Sequence, residues 1–233
     1  MIISTTKCEQ LGHPEFVLEA DVSTVPDIYI RETVETVERM VADGSVFRPG
    51  ETFQIGWMLT RVQEQGPTHL TLEEPDMRSL PIRWIPGVTH TLRQKMVQVF
   101  MLDSVSLRHE MQIPSIRQSL ITCTRFAASD FFMTRSEGTN ERDSGWFVGC
   151  LDEVHDHNDP GNLCCVSLYE AYLGQKGIQG FVTFPVGATV VVDRKNGVTI
   201  LNQGEPLGIV RGSFLDTWLQ RSADGSAKES YPE

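Results

Sequence analysis

The chain has no apolar run long enough to span a bilayer, and its first residues, MIISTTKCEQLGHPEF, turn polar directly after Met1, Ile2 and Ile3. It therefore lacks the hydrophobic stretch of a secretory signal there, and the cytoplasm is the expected compartment. Cationic patches are also missing. With 20 Lys and Arg against 31 Asp and Glu, the net charge of -11 repels phosphate, so neither nucleic acid nor membrane lipid is an expected partner. There is no G-x-S-x-G elbow, no G-x-x-x-x-G-K-[ST] phosphate loop and no G-x-G-x-x-G after a strand, so the common signatures of nucleophilic and nucleotide-dependent enzymes are absent. No internal repeat is visible. The five cysteines, Cys8, Cys123, Cys150, Cys164 and Cys165, are odd in number and follow no disulfide framework, and buried reduced thiols are expected.

What is present is the composition of an ordinary folded protein, 40% hydrophobic and 22% charged over 233 residues, enough for two small cores. Glu15 to Ala20 reads as a strand. Thr24 and Pro26 then open a helix whose apolar residues, Ile30, Val34, Val37 and Val41, recur at helical spacing until Gly44. Phe53, Ile55, Trp57 and Leu59 alternate as in a half-buried strand, and QEQGP followed by THLTLEE predicts an antiparallel hairpin. A second helix is predicted from Thr89 to Ser104.

The proline-bearing segment His109 to Arg117 has no clear period and is taken as the domain junction. Beyond it, Leu120 to Ala127, Phe131 to Arg135, Trp146 to Leu151, Phe181 to Phe184, Thr189 to Asp193 and Val198 to Leu201 read as strands, with a short helix from Ser167 to Leu173. The expected fold is α+β, two small domains each with a mainly antiparallel sheet and one or two helices. Their expected bounds are 1–113 and 114–221, with a polar tail over 222–233.

The densest chemistry lies in LDEVHDHNDPGNLCCV, Leu151 to Val166. On an extended segment His155 and His157 point the same way, and Asp152, Asp159 or Cys164 could complete a zinc shell with them. The spacing nevertheless matches neither H-E-x-x-H nor a C-x-x-C knuckle, and vicinal Cys164 and Cys165 cannot easily aim two thiolates at one ion. Asn158-Asp159-Pro160-Gly161-Asn162 is turn chemistry. Cys123 or Cys150 beside His155 could form a thiolate pair, but Cys150 sits in the apolar pattern FVGCL and reads as a buried small hydrophobe. The expectation is therefore no metal, no cofactor and no catalytic residue. The alternative is a metal-dependent hydrolase using His155, His157 and Asp159.

A longer arrangement runs through this region. Asp143-Ser144-Gly145-Trp146 opens a strand, Asp152-Glu153 follows, then Asp159-Pro160-Gly161-Asn162-Leu163, the Ser167-Leu168-Tyr169 helix, and Pro185-Val186-Gly187-Ala188 before TVVVDR. In order and spacing, roughly from Leu120 to Gly197, this resembles an immunity-protein domain of bacterial polymorphic toxin systems. The resemblance implies binding: such proteins neutralise a cognate toxin made beside them, and no active site is attributed to the domain. Val154-His155-Asp156-His157-Asn158 departs from the family pattern, which tends to hold further acids and an aromatic there.

Read as structure, Trp146 is a core anchor, Asp143 and Ser144 cap a turn, Asp159 and Pro160 start one with Asn162 closing it, and Pro185 and Gly187 set a bend. Asp152, Glu153 and Asp156 have no evident local task and are expected to face a basic surface on the toxin. The first domain carries no motif.

Overall fold

The computed structural model describes residues 1–223. Residues 224–233 of the expected polar tail lie outside them, and positions 222 and 223 end the last helix. The fold is α+β, with two mainly antiparallel sheets of six and seven strands. Two compact units divide between Met96 and Val97, and not near 113. This division falls inside a helix whose apolar spacing runs through Met96, Val99 and Phe100 without a break, so nothing in the pattern marks it. No helix of the described residues is long and apolar enough to cross a membrane.

The first unit holds strands β1 (Ile2–Ser4), β2 (Glu15–Glu19), β3 (Thr52–Ile55), β4 (Met58–Glu64), β5 (His69–Pro75) and β6 (Trp84–Pro86). Their order is β1-β2-β5-β4-β3 with β6 also on β5, and only the β2–β5 pair is parallel. Helix α1 (Asp27–Ala42) buries Ile30, Val34, Val37 and Val41 in the same core as Phe16, Leu18, Leu70 and Leu72. Full burial of each such side chain stabilises by about 1.5 to 3 kcal/mol before chain entropy is counted.

The Phe53 to Leu59 alternation is two strands and not one: Ile55 pairs with Met58 across a turn at Gly56 and Trp57. Trp57 is fully buried even so, and apolar alternation that continues through a two-residue turn hides the break.

Glu74, at the end of β5, is buried and accepts the backbone N–H groups of His90 (3.0 Å) and Thr91 (2.7 Å) at the start of helix α2 (Thr89–Asp103). Burial outweighs these donors and pushes its carboxyl up to about 7. The folded chain then keeps a proton that the unfolded chain releases above about pH 4.5, so stability falls as pH rises from there through about 7, by about 3 kcal/mol. Glu74→Gln removes the titration but leaves an NH2 where one carboxyl oxygen accepts a backbone N–H, so in urea titrations it is expected to be less stable than wild type near pH 4.5 and to lose that deficit towards pH 8 as wild type weakens; parallel pH profiles for the two proteins would contradict this.

In the second unit the strands are β7 (Ser119–Cys123), β8 (Phe131–Arg135), β9 (Asp143–Cys150), β10 (Leu163–Ser167), β11 (Ala188–Asp193), β12 (Gly197–Asn202) and β13 (Glu205–Pro206). They are ordered β10-β7-β9-β8-β11-β12-β13, and β7 runs parallel to β9. Helix α3 (Leu168–Gly174) starts with a capping box, Ser167 accepting from the Glu170 amide while the Glu170 carboxylate accepts from that of Ser167. Helix α4 (Phe214–Ala223) and the edge strand β10 are not among the elements expected from the sequence.

Phe181 to Phe184 is no strand. It is a buried turn following a 3-10 segment, Lys176–Gly180, and a short continuous apolar run carries no period to tell the two apart.

Candidate functional site

β9 opens on Asp143-Ser144-Gly145-Trp146. Asp143 accepts the amide and hydroxyl of Thr139 (2.9 Å each) and the amide of Gly145 (2.9 Å), and these donors hold its carboxyl below the usual carboxylate range. The Ser144 hydroxyl donates to the Ser119 carbonyl at 2.8 Å. Trp146 is 1% exposed, and its Nε1 donates to the Val182 carbonyl at 2.9 Å.

Val182 leads into the Pro185–Gly187 turn, where the Gly187 amide donates to the Arg135 carbonyl at 2.8 Å. The Arg135 guanidinium lies 5.6 Å from the Trp146 ring centroid and donates to the carbonyls of Gln112, Ser144 and Phe184. Burial lowers its pKa to about 10, which leaves it charged at neutral pH. The D-S-G-W and P-V-G elements thus meet at Trp146 and Arg135.

Between β9 and β10 the chain forms the loop 151–162. Asp159 Oδ1 accepts the Gly161 amide at 2.9 Å and caps the 3-10 turn Pro160–Asn162. Asn162 ties the loop down, its Nδ2 donating to the Asp156 carbonyl at 3.0 Å and its own carbonyl accepting from the Thr124 amide at 2.8 Å.

Two of the three carboxylates without an evident task in the sequence have one in the structure. Asp152 accepts the Val154 amide at 3.1 Å and pairs with Arg125, which together hold its carboxyl low, and Asp156 accepts the Asn158 amide at 2.8 Å. The reason is local: an aspartate in a turn reaches the amide two residues on. Glu153 is exposed and makes no hydrogen bond or ion pair among the described residues.

Beneath this loop four metal-ligating side chains converge. Because β7 and β9 are parallel neighbours, their last residues, Cys123 and Cys150, lie at the same end of the sheet, and the Cys150 amide donates to Cys123 Sγ at 3.3 Å. The loop then brings His155 and His157 back, so that one ligand atom from each of Cys123, Cys150, His155 and His157 lies within 4.8 Å of all the others.

Cys150 Sγ is 3.7 Å from His157 Nε2, and the two imidazoles meet edge to face with centroids 5.0 Å apart. The rings of Phe132 and Phe147 stand edge-on to His157 at 5.4 and 6.0 Å. They fit because Gly149 has no side chain: a Cβ there would lie 2.5 Å from the Phe132 ring and 2.9 Å from that of Phe147. Both cysteines and His155 are buried, and burial raises the Cys123 thiol pKa.

His155 Nε2 is sealed from solvent and has no hydrogen-bond partner among the described residues. His13 shows the alternative for a buried histidine: its Nδ1 meets the Pro14 carbonyl at 2.8 Å and its Nε2 accepts the Phe47 amide at 2.9 Å.

The ligands that the loop's own spacing could not supply therefore come from two strands. Asp152, Asp159 and Cys164, which the sequence offers for closing the shell, are not in the group. Cys164 and Cys165 are exposed on the edge strand β10, which leaves their side chains uncovered, and not buried as expected. Two thiols and two imidazoles are a soft set of four donor atoms of the kind that holds zinc. No family model, curated protein or solved structure matches this chain.

Proposed function

We propose that this chain is a cytoplasmic immunity protein that binds a cognate toxin with a basic contact surface and blocks it by occlusion. The observation that supports this reading most is the use to which its signature residues are put. Asp143, Trp146, Asp159, Asn162 and Gly187 are spent on turn caps, backbone hydrogen bonds and core packing within one compact unit. Residues so used build a shape and present no reacting group, which suits a protein that acts by covering another. The loop they support turns Glu153 and Asp156 outward, with Asp152 half-exposed beside Arg125. Arginines or lysines on a partner would gain both complementarity and encounter rate there.

The test takes the product of the reading frame beside this gene, where the cognate toxin is expected. Reversing Asp152, Glu153 and Asp156 to lysine is expected to slow its association with this chain by about tenfold at low ionic strength and by less at high, because surface charges act mainly through screened long-range steering. Because Asp152 and Asp156 also accept turn amides and Asp152 pairs with Arg125, Glu153→Lys alone is the control for loop structure: it should slow association in the same direction by a smaller factor, with circular dichroism unchanged. Equal association rates for both proteins at every salt concentration would place recognition elsewhere on the chain.

A further inference from the structure

We propose that Cys123, Cys150, His155 and His157 hold one zinc ion in a closed tetrahedral site that fastens the loop 151–162 to the ends of β7 and β9. The inference rests on the geometry of these four residues and is independent of the toxin reading. Zinc–sulfur and zinc–nitrogen bonds of about 2.3 and 2.0 Å place sulfur and nitrogen about 3.5 Å apart across a tetrahedron. Cys150 Sγ and His157 Nε2 are 3.7 Å apart, and all four ligand atoms fit within 4.8 Å of one another.

His155 adds a separate observation. Its Nε2 is buried and unbonded beside this group, a costly arrangement for an imidazole nitrogen, and a metal bond would satisfy it. The surroundings are those of a structural site. The Cys150 amide already donates to Cys123 Sγ, as an outer-shell donor to a thiolate would, and Phe132 and Phe147 shield His157.

The charges also balance. Two thiolates and two neutral imidazoles around a divalent cation sum to zero, so the buried centre carries no net charge, and binding displaces one proton from each thiol to solvent. A soft S2N2 set of this kind favours zinc over magnesium or calcium, which take oxygen ligands. Loading would tie three separated chain segments into one unit, strand end to strand end to loop.

The full chain, made without a polyhistidine tag and purified under a thiol reductant, is to be assayed by elemental analysis and native mass spectrometry. About one zinc per chain is expected for wild type and for Cys164→Ser and Asp159→Ala, and less than about a tenth of that for Cys150→Ser and His155→Ala. Should either of the last two fail to fold, cobalt-loaded wild type decides. Intense four-coordinate ligand-field bands with a thiolate-to-cobalt charge-transfer band support the site, and a weak octahedral spectrum overturns it. Wild type free of zinc, a disulfide between Cys123 and Cys150, or full zinc retained by folded Cys150→Ser would each overturn it as well.

Discussion

Trp146→Ala is expected to lower the stability of the second unit by about 3 to 5 kcal/mol, the range for deleting a buried tryptophan. The side chain is 1% exposed, so its removal opens a cavity inside a packed sheet. It also strips the Val182 carbonyl of its Nε1 donor at 2.9 Å and the Arg135 guanidinium of the ring 5.6 Å away. Trp146→Phe keeps most of the apolar area and loses the hydrogen bond, so it should cost less, about 1 to 3 kcal/mol. Urea titration followed by circular dichroism measures both. Unchanged stability in Trp146→Ala together with lost partner binding would move this residue from the core to the contact surface.

Gly145→Ala is expected to cost about 2 to 5 kcal/mol, although it adds a single methyl group. Gly145 has φ +74°, and a Cβ built on it lies 1.9 Å from the Ser136 carbonyl oxygen and 3.0 Å from its carbon. The obstacle is backbone and cannot swing aside. Relief would require opening the end of the β8–β9 pairing, where the Ser136 amide donates to the Gly145 carbonyl at 2.9 Å. Gly204 is the control: its φ is +85°, yet nothing lies within 4 Å of its Cβ position. Gly204→Ala should therefore show the conformational penalty alone, about 1 to 2 kcal/mol. If both variants lose the same stability in urea, crowding at Gly145 is not the reason that D-S-G-W contains a glycine.

The parts of this fold that sequence reveals are those whose signal is local. Helix α1 follows from the spacing of Ile30, Val34, Val37 and Val41, and the β11–β12 hairpin from alternation on either side of Arg194-Lys195-Asn196-Gly197. Trp146 in the core follows from its size and strand setting. Where a signal is shared between two conformations it misleads, as with the turn at Gly56 and Trp57 hidden inside continued alternation, and the buried turn at Phe181 to Phe184.

The candidate metal centre divides along the same line. His155 and His157 are visible as an H-x-H pair, but Cys123 and Cys150 join them only because β7 lies parallel to β9, with β8 on the other side of β9. Parallel pairing between strands distant in the chain leaves no mark in a window of neighbouring residues. Cys150 closes the FVGCL pattern five residues ahead of the first histidine, but Cys123 reads as mid-strand within Leu120 to Ala127 and ends a strand only in the structure.

The proposed neutralisation of a partner by covering it is tested by titrating the purified product of the adjacent reading frame with this chain. Its toxic activity is first established by growth arrest on expression, then assayed in vitro against rising amounts of this chain. A linear fall to no activity at one equivalent is expected, with a one-to-one complex in size-exclusion chromatography. Undiminished activity at a large excess of the folded chain, with no complex formed, would contradict it.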